Sequence, residues 1–411
     1  MRGSYRQVTY VVAGVVALVF VAIYSAACSQ SGEPVVETQT QEHPLSLNIV
    51  WIVTDRPLGG RETGTDVDTP MSGGVRFTQT RSTESMASPA STRAALLTGL
   101  HPKALGVREG RLTATSPAGV TALPEQLRRA GYYTSRSGSA LHNLSLDEGE
   151  SDRGQDPAEK HQPGLLGAWD TAGPDVDWRG RDHDWDLPCT VAFGCGRTVA
   201  NGPRPFFSLF NVDASDAHSL RQEVVDILTA LETDGLIEDT AVFFIGLHKT
   251  DLELVVRWPQ RLESGPTPDD PVGVVDLAPT ALAVAGVAVP AHLPGRVLLD
   301  LTMPATRTIG DERAAKRVDK TQPQQWSDSG PPRAAAPGGY PKGGLFHVAP
   351  QVELTCETEG STIIYTTERV APFYWRLYEG AFRMRFWTLR AKCGRLGYLD
   401  SEVTTYDFDI E

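Results

Sequence analysis

The sequence predicts an α/β fold, a mostly parallel sheet flanked by helices, followed by a small all-β sandwich. Three observations carry that reading. Short apolar runs alternate with helical periodicities between residues 47 and 300; a stretch rich in Pro, Gly, Lys, Gln and Ser breaks the pattern at 302–340; and period-two alternation takes over from Leu345. The 411 residues exceed one ordinary domain of roughly 100–200 residues. Apolar residues at 40% and charged residues at 22% exclude both wholesale disorder and a polytopic membrane protein.

At the amino end, Arg2 and Arg6 precede an uncharged apolar run over 8–27 that closes in Ser25-Ala26-Ala27-Cys28. A basic start, an apolar stretch and small residues before a cut site describe a secretory signal over 1–27. Cys28, directly after the small residues, resembles the end of a bacterial lipobox, with Ser25 where a Leu is usual; that implies a lipidated Cys28 at a new amino terminus. The competing reading is an uncleaved anchor, since about 20 apolar residues span a bilayer as one helix. Either places the remainder outside the cytoplasm on a membrane anchor, with 28–46 as a Ser-, Gln-, Glu-, Pro- and Thr-rich tether.

The α/β domain is expected over 47–303. Asn48-Ile49-Val50-Trp51-Ile52-Val53, ending in Thr54-Asp55, has the pattern of a buried parallel strand. Ser88-Pro89-Ala90-Ser91-Thr92-Arg93 reads as a loop entering a helix, where backbone N–H groups cradle anions. A helix over 123–131 carries Pro124 in its first turn and Gly131 past its end, and a strand over 132–137 follows. Pro205-Phe206-Phe207-Ser208-Leu209-Phe210 is another buried strand. Leu220, Val224, Ile227, Leu228 and Leu231 then recur at helical spacing. Ala241-Val242-Phe243-Phe244-Ile245 is a strand again, and a helix over 274–285 stops at Gly286. Residues 304–337 read as a linker. Alternating runs at Val352-Glu353-Leu354-Thr355-Cys356, Thr362-Ile363-Ile364-Tyr365-Thr366 and Thr388-Leu389-Arg390-Ala391-Lys392 place a sandwich over 338–411.

The 38 basic against 51 acidic side chains leave a formal charge of −13, which argues against a nucleic-acid partner. Apart from Cys28 the cysteines are Cys189, Cys195, Cys356 and Cys393, an even number in an oxidising setting. Bridges Cys189–Cys195 and Cys356–Cys393 are one reading and ordinary buried thiols the other.

Ligand sites of α/β sheets lie beyond the carboxyl ends of strands. Asp55, Asp213 and Gly246-Leu247-His248 fall at such ends. At these residues the chain resembles the sulfatase family of the alkaline-phosphatase superfamily. The opening strand to Asp55, Gly74-Val75-Arg76-Phe77-Thr78, Thr92-Arg93-Ala94-Ala95-Leu96-Leu97-Thr98-Gly99, the 123–134 segment, Arg257-Trp258-Pro259, Val275-Asp276-Leu277-Ala278-Pro279-Thr280 and Leu293-Pro294-Gly295-Arg296 match in order. The resemblance implies sulfuric-ester hydrolysis on sulfated or otherwise anionic glycans, with a formylglycine made from Cys or Ser and a calcium ion.

The departures fall on the chemistry. Pro89 stands four residues before Arg93, where the nucleophile belongs, and a proline has neither hydroxyl nor thiol. Asp55 is followed by Arg56 rather than a second carboxylate, and Leu247 stands where another metal carboxylate is usual, leaving His248. Asp55 and His248 are two ligands, too few for a hard dication, so no cofactor is expected beyond a residual calcium. Their other reading is hydrogen bonding at strand ends. Arg56 and Arg93 offer guanidinium forks to an oxyanion; Arg56 paired to Asp55 or turned to solvent is the competing view. Ser91, Arg93, His142 and His218 form the candidate catalytic set if Ser91, or Ser88 beside it, acts out of register. Asp182-His183-Asp184-Trp185-Asp186 reads as a solvated acidic loop rather than a cation site.

Gly338-Gly339-Tyr340, Gly360-Ser361-Thr362-Ile363-Ile364-Tyr365-Thr366-Thr367, Leu377-Tyr378-Glu379-Gly380 and Gly397-Tyr398-Leu399-Asp400-Ser401-Glu402-Val403 resemble the chitobiase/β-hexosaminidase C-terminal domain. That resemblance implies a small immunoglobulin-like sandwich. Phe373-Tyr374-Trp375 and Phe386-Trp387 are expected to fill its core on alternate positions, with stacking on sugars as the competing role. The rival functional readings are a binder with weak or no turnover, a hydrolase using an out-of-register serine, and a structural or adhesion surface lipoprotein.

Overall fold

Strand β1 (Asn48–Thr54) is buried over its whole length because it runs through the middle of an eight-stranded sheet. The computed structural model describes residues 47–58, 70–77, 80–81, 89–108, 111–112, 114–137, 171–172, 205–212, 214–248, 251–259, 262, 265–266, 271–298, 323–325, 327, 330–369 and 375–410. The remaining strands of that sheet are β2 (Val75–Phe77), β3 (Tyr133–Ser137), β4 (Thr171–Ala172), β5 (Phe206–Asn211), β6 (Thr240–His248), β7 (Asp251–Arg257) and β8 (Gly265–Pro266). Their order is β8-β2-β7-β6-β1-β5-β3-β4. All run parallel to β1 except β7, which pairs antiparallel with β6 on one side and β2 on the other.

Successive side chains of a strand point to opposite faces, and β1 supplies both layers of core. Ile49, Trp51 and Val53 join Phe207, Leu209, Phe243 and Ile245 on one face, beneath helices α1 (Pro89–Thr98), α2 (Leu123–Arg129) and α4 (Leu277–Val284). Val50 and Ile52 join Phe206, Phe210, Val242 and Phe244 on the other, beneath α3 (Ala217–Thr233). Leu220, Val224, Ile227, Leu228 and Leu231, the periodic set, form the buried stripe of α3. Each such side chain removed from water contributes about 1.5–3 kcal/mol. The Asp216 carboxylate caps α3 by accepting the Ser219 N–H at 2.8 Å, and that bond holds its pKa below the usual range. The 274–285 pattern resolves into a 3₁₀ turn (Val274–Asp276) followed by α4. Gly295 passes so close to the Val275 carbonyl that a Cβ would collide with it.

Beyond the linker the chain is all-β. Strands β9 (Gly338–Tyr340), β11 (Gln351–Thr355) and β14 (Phe382–Arg383) make a three-stranded sheet. Strands β10 (Gly344–Phe346), β12 (Thr362–Thr366), β13 (Arg376–Leu377), β15 (Thr388–Gly394) and β16 (Thr404–Ile410) make a five-stranded one, ordered β10-β16-β15-β12-β13. Val352, Leu354, Met384, Leu389, Ala391, Tyr406 and Phe408 fill the core the two sheets share. Phe386 and Trp387 are not in that core: they are 51% and 53% exposed, against the expectation that alternate rings fill it. Trp375 is half-buried with Lys392 Nζ 5.1 Å from its ring centroid, and Phe373 and Tyr374 lie outside the described residues.

The all-β part packs onto α2. Thr362 Oγ1 donates to Glu125 Oε1 at 2.8 Å, Arg128 Nη2 to the Trp375 carbonyl at 2.6 Å, and Arg395 Nη2 to the Ser116 carbonyl at 2.8 Å. Gly397, at φ 84°, lies against Thr115, whose Cα would be 2.7 Å from any added Cβ. Within the segment read as linker, Gln324 and Gln325 pair antiparallel with Thr115 and Ala114. Among the described residues no helix is long and apolar enough to cross a membrane.

Candidate functional site

The register at the sheet's centre brings three segments to one edge. Thr54 of β1 lies opposite Gly246 of β6, so Asp55 and Arg56 emerge beside the segment leading to His248. Across the β6–β7 hairpin His248 pairs with Asp251 and Gly246 with Glu253. Asp55 and Arg56 are exposed, and the Arg56 N–H donates to Thr54 Oγ1 at 3.2 Å. Glu253 holds this edge together. Its Oε1 takes Arg76 Nη1 from β2 at 2.5 Å, and its Oε2 accepts the Leu58 N–H at 2.8 Å. Arg221 Nε of α3 donates to the Leu58 carbonyl at 3.2 Å, and the Leu58 side chain is fully buried. The segment carrying Asp55 and Arg56 is therefore anchored at Leu58.

Helix α1 begins at Pro89. A proline suits that position, because its fixed φ is helical and its missing N–H would have had no partner in the first turn. Pro89, which the resemblance aligns with the nucleophile's place, is thus the start of the helix, with Ser91 and Arg93 third and fifth along it. Ala94, Ala95, Leu96 and Leu97 bury the helix in the core, Thr98 Oγ1 donates to the Ala94 carbonyl at 2.6 Å, and Gly99 ends it at φ 69°.

On β3, one residue before its carboxyl end, Arg136 is 6% exposed, and its Nε and Nη1 have no hydrogen-bond partner among the described residues. Burial brings its pKa down to about 10. Its ladder partner is Leu209, which belongs to the core layer under α1, α2 and α4, so the guanidinium enters that same layer. An arginine buried with part of its donor fork unmet is costly, since each unsatisfied polar group costs about 1–3 kcal/mol and charged groups more. Three N–H groups of that fork, on Nε and Nη1, match the oxygens of sulfate, phosphate or carboxylate.

Of the residues singled out in the sequence, Asp55, Arg56 and His248 share one edge, while His218 is exposed on the first turn of α3. Ser88, His142, Asp213, the 182–186 cluster, Cys28, Cys189 and Cys195 lie outside the described residues. Sequence reasoning missed Glu253 and Arg136. The signal for Arg136 was its place in the alternation Tyr132, Thr134, Arg136, where a charge shares a face with the buried Tyr132. Glu253 carried no such signal, because the reversal of β7 has no signature in the residues preceding it.

The resemblance implies a calcium ion at this edge, and the described residues do not fit one. Glu253 commits both oxygens to Arg76 and Leu58, Arg56 adds a cation beside Asp55, and among the described residues no three His, Cys, Asp or Glu side chains converge. Cys356 and Cys393 of the all-β part are not joined. The two thiols meet in a hydrogen bond that lowers the Cys356 pKa to about 6 and pushes that of Cys393 up.

No family model matches the chain. Among curated proteins it is similar to an "Ulvan-active sulfatase" of Formosa agariphila, 22% identical, with the match covering 65% of this chain. The chain spans 56% of that relative's length. Together with the sheet topology, this likeness supports a sulfatase-like α/β fold with a mixed sheet and few helices. Solved structures resembling it include Ps i-CgsB in complex with k-i-k-neocarrahexaose, at 18% identity and TM-score 0.43 over 62% of this chain and 75% of that one. The phosphonate monoester hydrolase SpPMH of Silicibacter pomeroyi has 13% identity and TM-score 0.43 over 88% and 89%.

Proposed function

We propose that this chain is an extracytoplasmic sulfatase-like protein that binds sulfated or otherwise anionic glycans, with weak or no turnover and no resident metal. The observation that carries the reading is Pro89 at the first residue of α1. Sulfate-ester cleavage through a covalent intermediate needs an activated oxygen or sulfur at that place, and the all-carbon side chain of proline supplies neither. The anion-binding half of such a site is better represented. Arg136 offers buried donors on the face of the sheet beneath α1, α2 and α4, and Arg56 presents a second cation at the sheet's carboxyl edge. Binding charge equally in substrate and transition state gives affinity without acceleration, which is the behaviour of a receptor. The likeness to a sulfatase named for ulvan favours a sulfated polysaccharide as ligand class. Lipidation of Cys28 and an immunoglobulin-like form of the all-β part belong to the same reading. Replacing Cys28 by Ala is expected to move the protein from the membrane to the soluble fraction.

The test is turnover of an aryl sulfate by the purified chain with and without calcium, beside calorimetric binding of a sulfated oligosaccharide. Heat of binding without turnover is the expected result. Turnover that Ser91→Ala or Arg93→Ala abolishes would establish the out-of-register hydrolase instead. Absence of both turnover and binding would leave the structural or adhesion lipoprotein.

A further inference from the structure

Among the described residues, the large hydrophobic side chains more than half exposed include an adjacent aromatic pair, Phe386 and Trp387, in the all-β part. Their backbone is held, since the Trp387 carbonyl accepts the Phe408 N–H of β16 at 2.7 Å; the rings stand outside a core that Met384 and Leu389 on either side do enter. The Arg369 guanidinium lies 5.6 Å from the Trp387 ring centroid. Arg376, Arg383 and Arg385 are exposed close by in sequence. From 369 to 395 the chain carries Arg369, Arg376, Arg383, Arg385, Arg390, Lys392 and Arg395 against the single acid Glu379, in a protein whose formal charge is −13. Some of those charges serve the fold: Arg390 donates to the Glu368 carbonyl, Arg395 to Ser116, and Lys392 is buried. Of the rest, Arg369 stands beside the Trp387 ring and Arg383 and Arg385 are exposed three and one residues before Phe386, while the exposed acids near by are Glu368 and Asp407, the latter accepting from Thr388 Oγ1 at 3.1 Å.

We infer that Phe386, Trp387 and the arginines around them form a second glycan-binding surface, a stacking platform for a pyranose ring of a sulfated or carboxylated polysaccharide. The flat face of an indole matches the C–H face of a sugar and shields it from water, while guanidinium forks take sulfate or carboxylate oxygens bidentately. The charge balance chooses among occupants. An acidic chain repels polyanions everywhere except at a local basic patch, so a basic collar around exposed rings is complementary to an anionic polymer, and an apolar protein face would leave the arginines unpaired. A short patch on a strongly acidic protein also fits a flexible glycan better than a nucleic acid, whose closely spaced phosphates demand an extended basic track. The ligand class is that of the reading above, but the surface shares no residue with the α/β site.

The experiment is affinity electrophoresis of the full chain in gels containing dextran sulfate, unsulfated dextran or single-stranded DNA. The wild type is expected to be retarded by dextran sulfate, and retardation to weaken about tenfold in apparent Kd in Trp387→Ala, the loss typical of truncating a central aromatic contact. Arg383→Glu combined with Arg385→Glu is expected to weaken it at least as far, with these variants keeping the wild-type melting temperature. The rise in melting temperature with inorganic sulfate, which reads the α/β site through Arg136, is expected to survive both Trp387→Ala and the double arginine change, which separates the two proposals. Unchanged migration of the Trp387→Ala protein would overturn the inference, as would equal retardation by single-stranded DNA or equal retardation by unsulfated dextran.

Discussion

Glu253 accepts the Leu58 N–H at 2.8 Å while its other oxygen pairs with Arg76, so a carboxylate on the one reversed strand of the sheet fastens the loop that carries Asp55 and Arg56. The side chains of this pair are 20% and 30% exposed, so solvent screens part of the attraction. Glu253→Ala removes a charged acceptor from the Leu58 N–H and an ion-pair partner from Arg76. It is expected to lower unfolding free energy by about 1.5–3 kcal/mol, read as a lower urea midpoint at unchanged slope. Glu253→Gln, which keeps an acceptor for Leu58, is expected to cost less.

Arg136 is expected to behave as a binding group rather than a structural one. Removing a buried charge whose Nε and Nη1 donors are unmet relieves their desolvation cost, so Arg136→Met is expected to match or exceed the wild-type melting temperature in anion-free buffer. Sulfate is expected to raise the melting temperature of the wild type by mass action and that of the variant by less. A lowered melting temperature for Arg136→Met with undiminished response to sulfate would show that the guanidinium serves the fold.

Cys356 is expected to be the reactive thiol of its pair, because the Cys393 S–H donates to it and stabilises its thiolate. At pH 7.5 iodoacetamide is expected to label Cys356 well before the buried Cys393, with the labelled site read by mass spectrometry. The linkage sign follows from a thiol pKa lowered from 9.0 to about 6. The stabilisation is present above pH 9 and is lost as pH falls toward 6, so the difference in stability between wild type and Cys356→Ser is expected to shrink over that window. With oxidised glutathione the pair is expected to close by exchange, releasing two molecules of reduced glutathione and losing two hydrogens.

Glu125, 4% exposed, accepts from Thr362 of the all-β part and from Arg129 of its own helix at 2.8 Å each. Thr362→Val is expected to cost about 1.5–3 kcal/mol, the range for a hydrogen bond to a charged group. Limited proteolysis is expected to release the C-terminal part from such a variant faster than from the wild type.

Most elements were legible because their signals are local. The β1 run, the stripe Leu220, Val224, Ile227, Leu228 and Leu231, and the alternation at 362–366 each match an element to within a residue or two. Strand β7 escaped because it is bounded by a tight hairpin after His248, and its apolar run Leu252, Leu254, Val255 and Val256 looks the same whichever way it points.

The residues alone determined that Pro89 cannot itself be a nucleophile, since no arrangement of the chain gives it a hydroxyl or a thiol, and they determined the alternation that makes an α/β sheet. Only tertiary structure decided that Glu253 spends its charge on Arg76 and Leu58, that Arg136 is buried with donors to spare, and that Phe386 and Trp387 stand outside a core they were expected to fill. Chemical identity belongs to the residue, whereas solvation and partnership depend on groups brought together from far along the chain, such as Leu58 and Glu253, 195 residues apart, or Ser116 and Arg395, 279 apart.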